Sequence, residues 1–163
     1  MLTIQCLLGY SAINDLKISL VFHMIKISQL PENILELIPG AAAYLEDHPI
    51  ILFAYLFGGL ARGTPLPLSD VDIAIYLADN LSVNDVKLDV LGHLIDILRT
   101  DEIDLVVLNT AGLPLVMNIL KSKKIIVDKD PFARHRFESL SMRKYFDFSV
   151  KESTQLKRRY LNG

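Results

Sequence analysis

Two carboxylates interrupt an apolar run in the stretch LFGGLARGTPLPLSDVDIAIYL, residues 56–77. Residues two apart on a strand share a face. Asp70 and Asp72 therefore stand with Ala74 and Tyr76, while Val71, Ile73, Ile75 and Leu77 form the buried stripe. Strand rise sets the two aspartate α-carbons roughly 6.5 Å apart, so both side chains can converge on one or two magnesium ions. Magnesium takes oxygen ligands and completes its shell with substrate phosphates, and a two-metal site is bridged by carboxylates. A second apolar run, EIDLVVL (residues 102–108), repeats the pattern, with Asp104 opposite the stripe of Ile103, Leu105 and Val107. If the two strands are neighbours, Asp104 joins Asp70 and Asp72. Three like charges so placed repel, and a divalent cation is the simplest remedy.

The glycines supply a second half to the site. A strand ending in Gly58–Gly59 and leading into a helical turn exposes backbone N–H groups to an anion, and a helix start favours negative charge. Arg62 is positioned in sequence to contact a phosphate, and Gly63 permits a tight turn. Asp-x-Asp alone is common, and Gly-Gly alone is more often only a turn. Their combination within one short stretch is what points to a magnesium nucleoside triphosphate.

The elements that must position these groups follow from hydropathy. From Pro31, ENILELIPGAAAYLEDH has helical spacing, with an interruption expected at Pro39–Gly40. IILFAYLF is continuously apolar, as for a strand buried on both faces. Pro65 and Pro67 force an extended loop before SDVDIAIYL, and Ser82 reads as the N-cap of a helix through Leu98. EIDLVVL is a strand, Gly112 to Lys121 a short helix, KIIVD a last strand, and Asp130 to about Tyr160 one or two helices. This order predicts an α+β domain, a small mixed sheet backed by helices with a C-terminal helical tail. Residues 1–24 read as an extension without assigned chemistry, either a short edge strand through LKISLVF or dispensable. Residues 25–128 form the core domain and 129–163 the tail packed on it.

Composition narrows the class. The chain has 163 residues, 51% hydrophobic and 22% charged, enough for one domain with a proper core. A net charge of −2 gives no global pull toward nucleic acid or anionic membrane. One cysteine excludes an internal disulfide and fits a cytoplasmic location. The four scattered histidines give no zinc spacing. Residues 1–24 are too interrupted by Asn14, Asp15 and Lys17 to span a membrane.

Gly58–Gly59 followed, after ten residues, by Asp70-Val71-Asp72 resembles the G-S-x10-D-x-D signature of the DNA polymerase β-like nucleotidyltransferases. More narrowly, FGGLARG…SDVDIAI with DEIDLVVLN and the tail KIIVDKDPFARHRFESLSMRKYFDF is similar to the minimal nucleotidyltransferases (MNT), in particular the antitoxin half of HEPN–MNT toxin–antitoxin pairs. The resemblance spans roughly Ile34 to Tyr160. It implies the superfamily's α+β core and transfer of AMP from ATP, with release of pyrophosphate, to a tyrosine of a partner HEPN ribonuclease in a hetero-oligomer. Asp70, Asp72 and Asp104 would be the catalytic metal ligands, for two Mg2+ ions, with Asp104 helping to deprotonate the attacking hydroxyl. Gly58, Gly59, Arg62 and Ser69 would bind the nucleotide. Neither membrane nor direct nucleic-acid binding is implied. One position departs from the pattern: Gly59 stands where the family has serine, removing a hydroxyl whose hydrogen bond is worth about 0.5–1.5 kcal/mol.

Two other readings use the same residues. A small-molecule acceptor such as an aminoglycoside is one, although known enzymes of that kind usually carry an additional substrate-binding domain. A non-catalytic antitoxin that blocks its toxin by binding is the other, and Gly59 favours it. The tail holds nine of the seventeen basic residues together with Phe132, Phe137, Tyr145, Phe146, Phe148 and Tyr160. That composition predicts a helix with one apolar face against the core and one solvated basic face, which partner docking could share. His135 is expected on the exterior.

Overall fold

The computed structural model of the chain describes residues 30–63, 69–78 and 83–161, with side chains to residue 149. The possible edge strand within residues 1–24 and the Ser82 cap lie outside these residues. The first helix, α1, runs Ile34–Asp47. Strand β1 (Ile51–Leu56) leads into a one-turn helix α2 (Gly58–Arg62), and β2 covers Val71–Leu77. Helix α3 (Val83–Leu98) crosses to β3 (Ile103–Val107). Helix α4 (Leu113–Ser122), β4 (Lys124–Asp128) and a 31-residue helix α5 (Pro131–Leu161) complete the order.

The four strands lie in the order β3-β2-β1-β4. β1 is antiparallel to both β2 and β4, whereas β2 and β3, joined through α3, are parallel. A parallel pair needs a long crossover, and α3 provides it. The sheet is thus mixed, within the expected α+β fold.

Helices cover both faces. On one, Leu45 of α1 and Leu94 and Leu98 of α3 pack on Ile51, Ile73, Ile75 and Val107. On the other, Val116 and Ile119 of α4 and Phe137 of α5 pack on Phe53, Tyr55 and Ala74. Phe53 stacks on Tyr76 with ring centroids 4.6 Å apart, and Phe137 closes over both. β1 is accordingly buried on its two faces, as its unbroken apolar run requires.

Pro39 lies inside α1 without ending it, contrary to the expected interruption. It forfeits one backbone hydrogen bond, yet Ile34 before it and Ala41 and Leu45 after it are buried. Tertiary packing on both sides of the proline holds the two halves in one helix.

The tail is one helix and begins as its residues dictate. Asp130 accepts a hydrogen bond from the Ala133 amide at 2.9 Å, and Pro131 occupies the first helical position. A buried polar cluster fixes it to the sheet. Arg134, 8% exposed, donates to Asp128 and Glu138. The Tyr55 hydroxyl donates to Glu138 at 2.7 Å, and Lys123 pairs with the same carboxylate while lying over the Tyr55 ring. Burial pushes the Tyr55 hydroxyl well above its ordinary range, and its bond to Glu138 adds to that. Burial would raise Glu138 too, but hydrogen bonds from Lys123, Tyr55 and Arg134 outweigh it and hold that carboxyl low.

Candidate active site

The site forms where β1 ends beside the starts of β2 and β3. Asp72 and Asp104 are register partners on the neighbouring parallel strands, so the two carboxylates leave the sheet level with each other. The face is the expected one, since Asp104 shares a side with Val106 and Asp72 with Ala74, and both of these apolar residues pack in the second cluster. Asp104 is exposed and Asp72 half-buried. Asp70 and Ser69 are half-buried in the coil just before β2. The Val71 amide donates to the Glu102 carbonyl at 2.9 Å, which tethers that coil to the start of β3.

The glycine bend is held to Asp72 through the backbone. The Phe57 amide donates to the Asp72 carbonyl at 3.0 Å, so the chain leaves β1 alongside Asp72. Gly58 then adopts φ +69°, the left-handed region that disfavours a side chain. A Cβ built on Gly58 would stand 1.8 Å from Asp72 Oδ2, inside the carboxylate itself. Two independent reasons therefore require glycine here, and the second was not legible in the spacing. Leu60, buried, anchors α2, and Gly63 at φ +72° closes it by donating to Leu60.

The remaining candidates are distributed around this bend. Gly58 and Gly59 form the first turn of α2, whose start has no side-chain cap. Arg62 occupies its last turn and is exposed, at the opposite end of the helix from Gly58. Among the described residues, no three of the Asp, Glu, His or Cys side chains form a group that could hold a metal ion by themselves. The backbone thus brings Asp72, Asp104 and Gly58 together, with Asp70 beside them in the coil. Magnesium commonly uses one or two protein carboxylates and takes its other ligands from phosphates and water. Asp72 and Asp104 are the hard-oxygen donors that ion takes, and Gly58 gives the Asp72 carboxylate its place.

An acidic pair on adjacent strands facing a glycine turn is an arrangement suited to nucleotidyl transfer. The family described as polymerase beta, nucleotidyltransferase matches residues 41–132, more than half of the chain. The chain belongs to this family. No curated protein sequence matches it. Among solved structures, the chain is similar to a toxin–antitoxin crystallised with AMP-PNP, at 23% identity and a TM-score of 0.62 over 73% of this chain and 95% of that one. A mutant of the MntA–HpeT toxin–antitoxin aligns at 26% identity, TM-score 0.58, over 79% and 97% of the two chains. A tri-AMPylated Shewanella oneidensis HEPN toxin in complex with MNT antitoxin aligns at 21% identity, TM-score 0.58, over 75% and 95%.

Proposed function

We propose that this chain is a magnesium-dependent protein adenylyltransferase and the antitoxin of a HEPN toxin, transferring AMP from ATP to a tyrosine hydroxyl of that partner. The observation that carries the reading is the level pairing of Asp72 with Asp104 across β2 and β3, with Gly58 cleared to admit the Asp72 carboxylate. Family membership supports nucleotidyl transfer, and the similar solved structures include complexes with AMP-PNP and with an AMPylated HEPN toxin.

In this reading Asp70, Asp72 and Asp104 would hold magnesium, which would supply Lewis-acid charge withdrawal for the transfer. Asp104, the exposed member, accepts the proton of the incoming hydroxyl; a free tyrosine, with pKa about 10, needs that help near neutral pH. The amides at the start of α2 orient the outgoing phosphates, with Ser69 and Arg62 flanking the nucleotide. Gly59 contributes backbone only, so nucleotide affinity is lower than with serine. The proposed setting is the cytoplasm, and the complex with the toxin is a hetero-oligomer.

The test is to incubate the chain with labelled ATP, magnesium and the HEPN protein encoded beside it. Label on the toxin supports the reading; an unlabelled toxin contradicts it. Gly59 favours a second reading, neutralisation by binding alone. Full protection of cells by Asp70→Asn, Asp72→Asn and Asp104→Asn alike would establish that one instead.

A further inference from the structure

Helix α5 is too long for the sheet it covers. Its 31 residues span about 46 Å, whereas a five-residue strand spans about 17 Å. Its inward stripe of Arg134, Phe137, Glu138 and Ser141 meets the core. The outward side carries another pattern. Phe132, Arg136, Leu140, Arg143 and Phe146 recur at helical spacing on one face, and all are exposed. Phe132 is 77% and Phe146 64% exposed, and Met142 borders them at 39%.

Charge follows the same division. Residues 129–163 hold nine of the seventeen basic residues but only four of the nineteen acidic ones, so this segment is net +5 while the rest of the chain is net −7. Arg134 is neutralised by Asp128 and Glu138. Arg136 and Arg143 are set between the two outward phenylalanines. Phenylalanine, methionine and arginine are the residue types enriched at protein interfaces.

Resting on the antitoxin reading, we propose that the Phe132–Phe146 face of α5 is the surface that grips the toxin. The complementary surface is acidic: apolar pockets receive the two phenylalanines about 21 Å apart, and carboxylates pair with Arg136 and Arg143. This docking holds the partner while its tyrosine enters the site at Asp72 and Asp104, so affinity and chemistry reside on different elements.

Calorimetric titration of the HEPN protein encoded beside this chain with wild type, Phe132→Glu/Phe146→Glu and Arg136→Glu/Arg143→Glu tests this. Wild type should bind, and each double variant should bind at least about thirtyfold more weakly, the loss expected for an interface anchor. Circular dichroism melts matching wild type would show that the exposed substitutions leave the fold intact. Equal binding by wild type and variants overturns the docking face and leaves the antitoxin reading standing. Failure of wild type itself to bind overturns both. Variants that keep toxin binding but lose single-stranded RNA in a gel shift would reassign the face to nucleic acid and overturn the proposal.

Discussion

Gly58 and Asp72 are effectively one structural unit, because the space of one is occupied by the carboxylate of the other. Alanine at position 58 must bear the left-handed conformation, at about 1–2 kcal/mol, and push the Asp72 carboxylate aside. A shift of about 1 Å at a reacting group can cost a hundredfold in rate. Gly58→Ala should therefore lower transfer to the toxin about a hundredfold while reducing the melting temperature by only a few degrees, as read by labelled ATP and a thermal melt. The sequence made the aspartates legible through their two-residue spacing and their cost within an apolar strand. It could not reveal that Gly58 abuts Asp72, since that contact depends on how the chain turns out of β1. The helical turn running through Ala61 to Arg62 was legible from the residues after Gly58–Gly59.

At the scale of elements, β2 and β3 were readable because apolar alternation fixes which side chains share a face. Their adjacency was conditional until the parallel register paired Asp72 with Asp104. Pro39 misled because local propensity is a weak prior against burial on both sides of it. Docking of α5 was legible only as composition: neither Arg134 nor Glu138 signals from its neighbours in sequence that it will be buried against Asp128 and Tyr55. Removing the guanidinium strands two carboxylates in a largely buried setting. Arg134→Met should destabilise the fold by about 3 kcal/mol in urea unfolding. Tyr55→Phe, which deletes one of three donors to Glu138, should cost about 1 kcal/mol in the same measurement.

For the whole molecule, stability depends on groups whose protonation changes on folding. His48 sits against Tyr44, Asp89, His93 and the Lys129 side chain. Burial holds its pKa below 6.5, outweighing the opposite pull of Asp89, with Lys129 and His93 adding to the depression. The unfolded chain therefore binds a proton there more readily, so this stability is full above pH 6.5 and lost as pH falls below it. Glu138, also held low, has its contribution intact above 4.5 and loses it as pH falls through the folded value. Melting temperature should decline from pH 7.5 to 5.5 and again below 4.5. His48→Phe should remove the first decline and leave the second. Among the described residues no helix is long and apolar enough to cross a membrane.

The central claim is that Asp72 and Asp104 act as one catalytic unit on the magnesium nucleotide. Residues that act together lose activity non-additively, each single change costing about as much as the combination. The direct measurement is the rate at which the intact mass of the HEPN partner increases by one adenylate, compared for wild type, Asp72→Asn, Asp104→Asn and the double variant. The account predicts a rapid increase with wild type and an equally severe loss in all three variants. An unmodified partner with wild type, or single variants whose losses multiply to give that of the double, would contradict it.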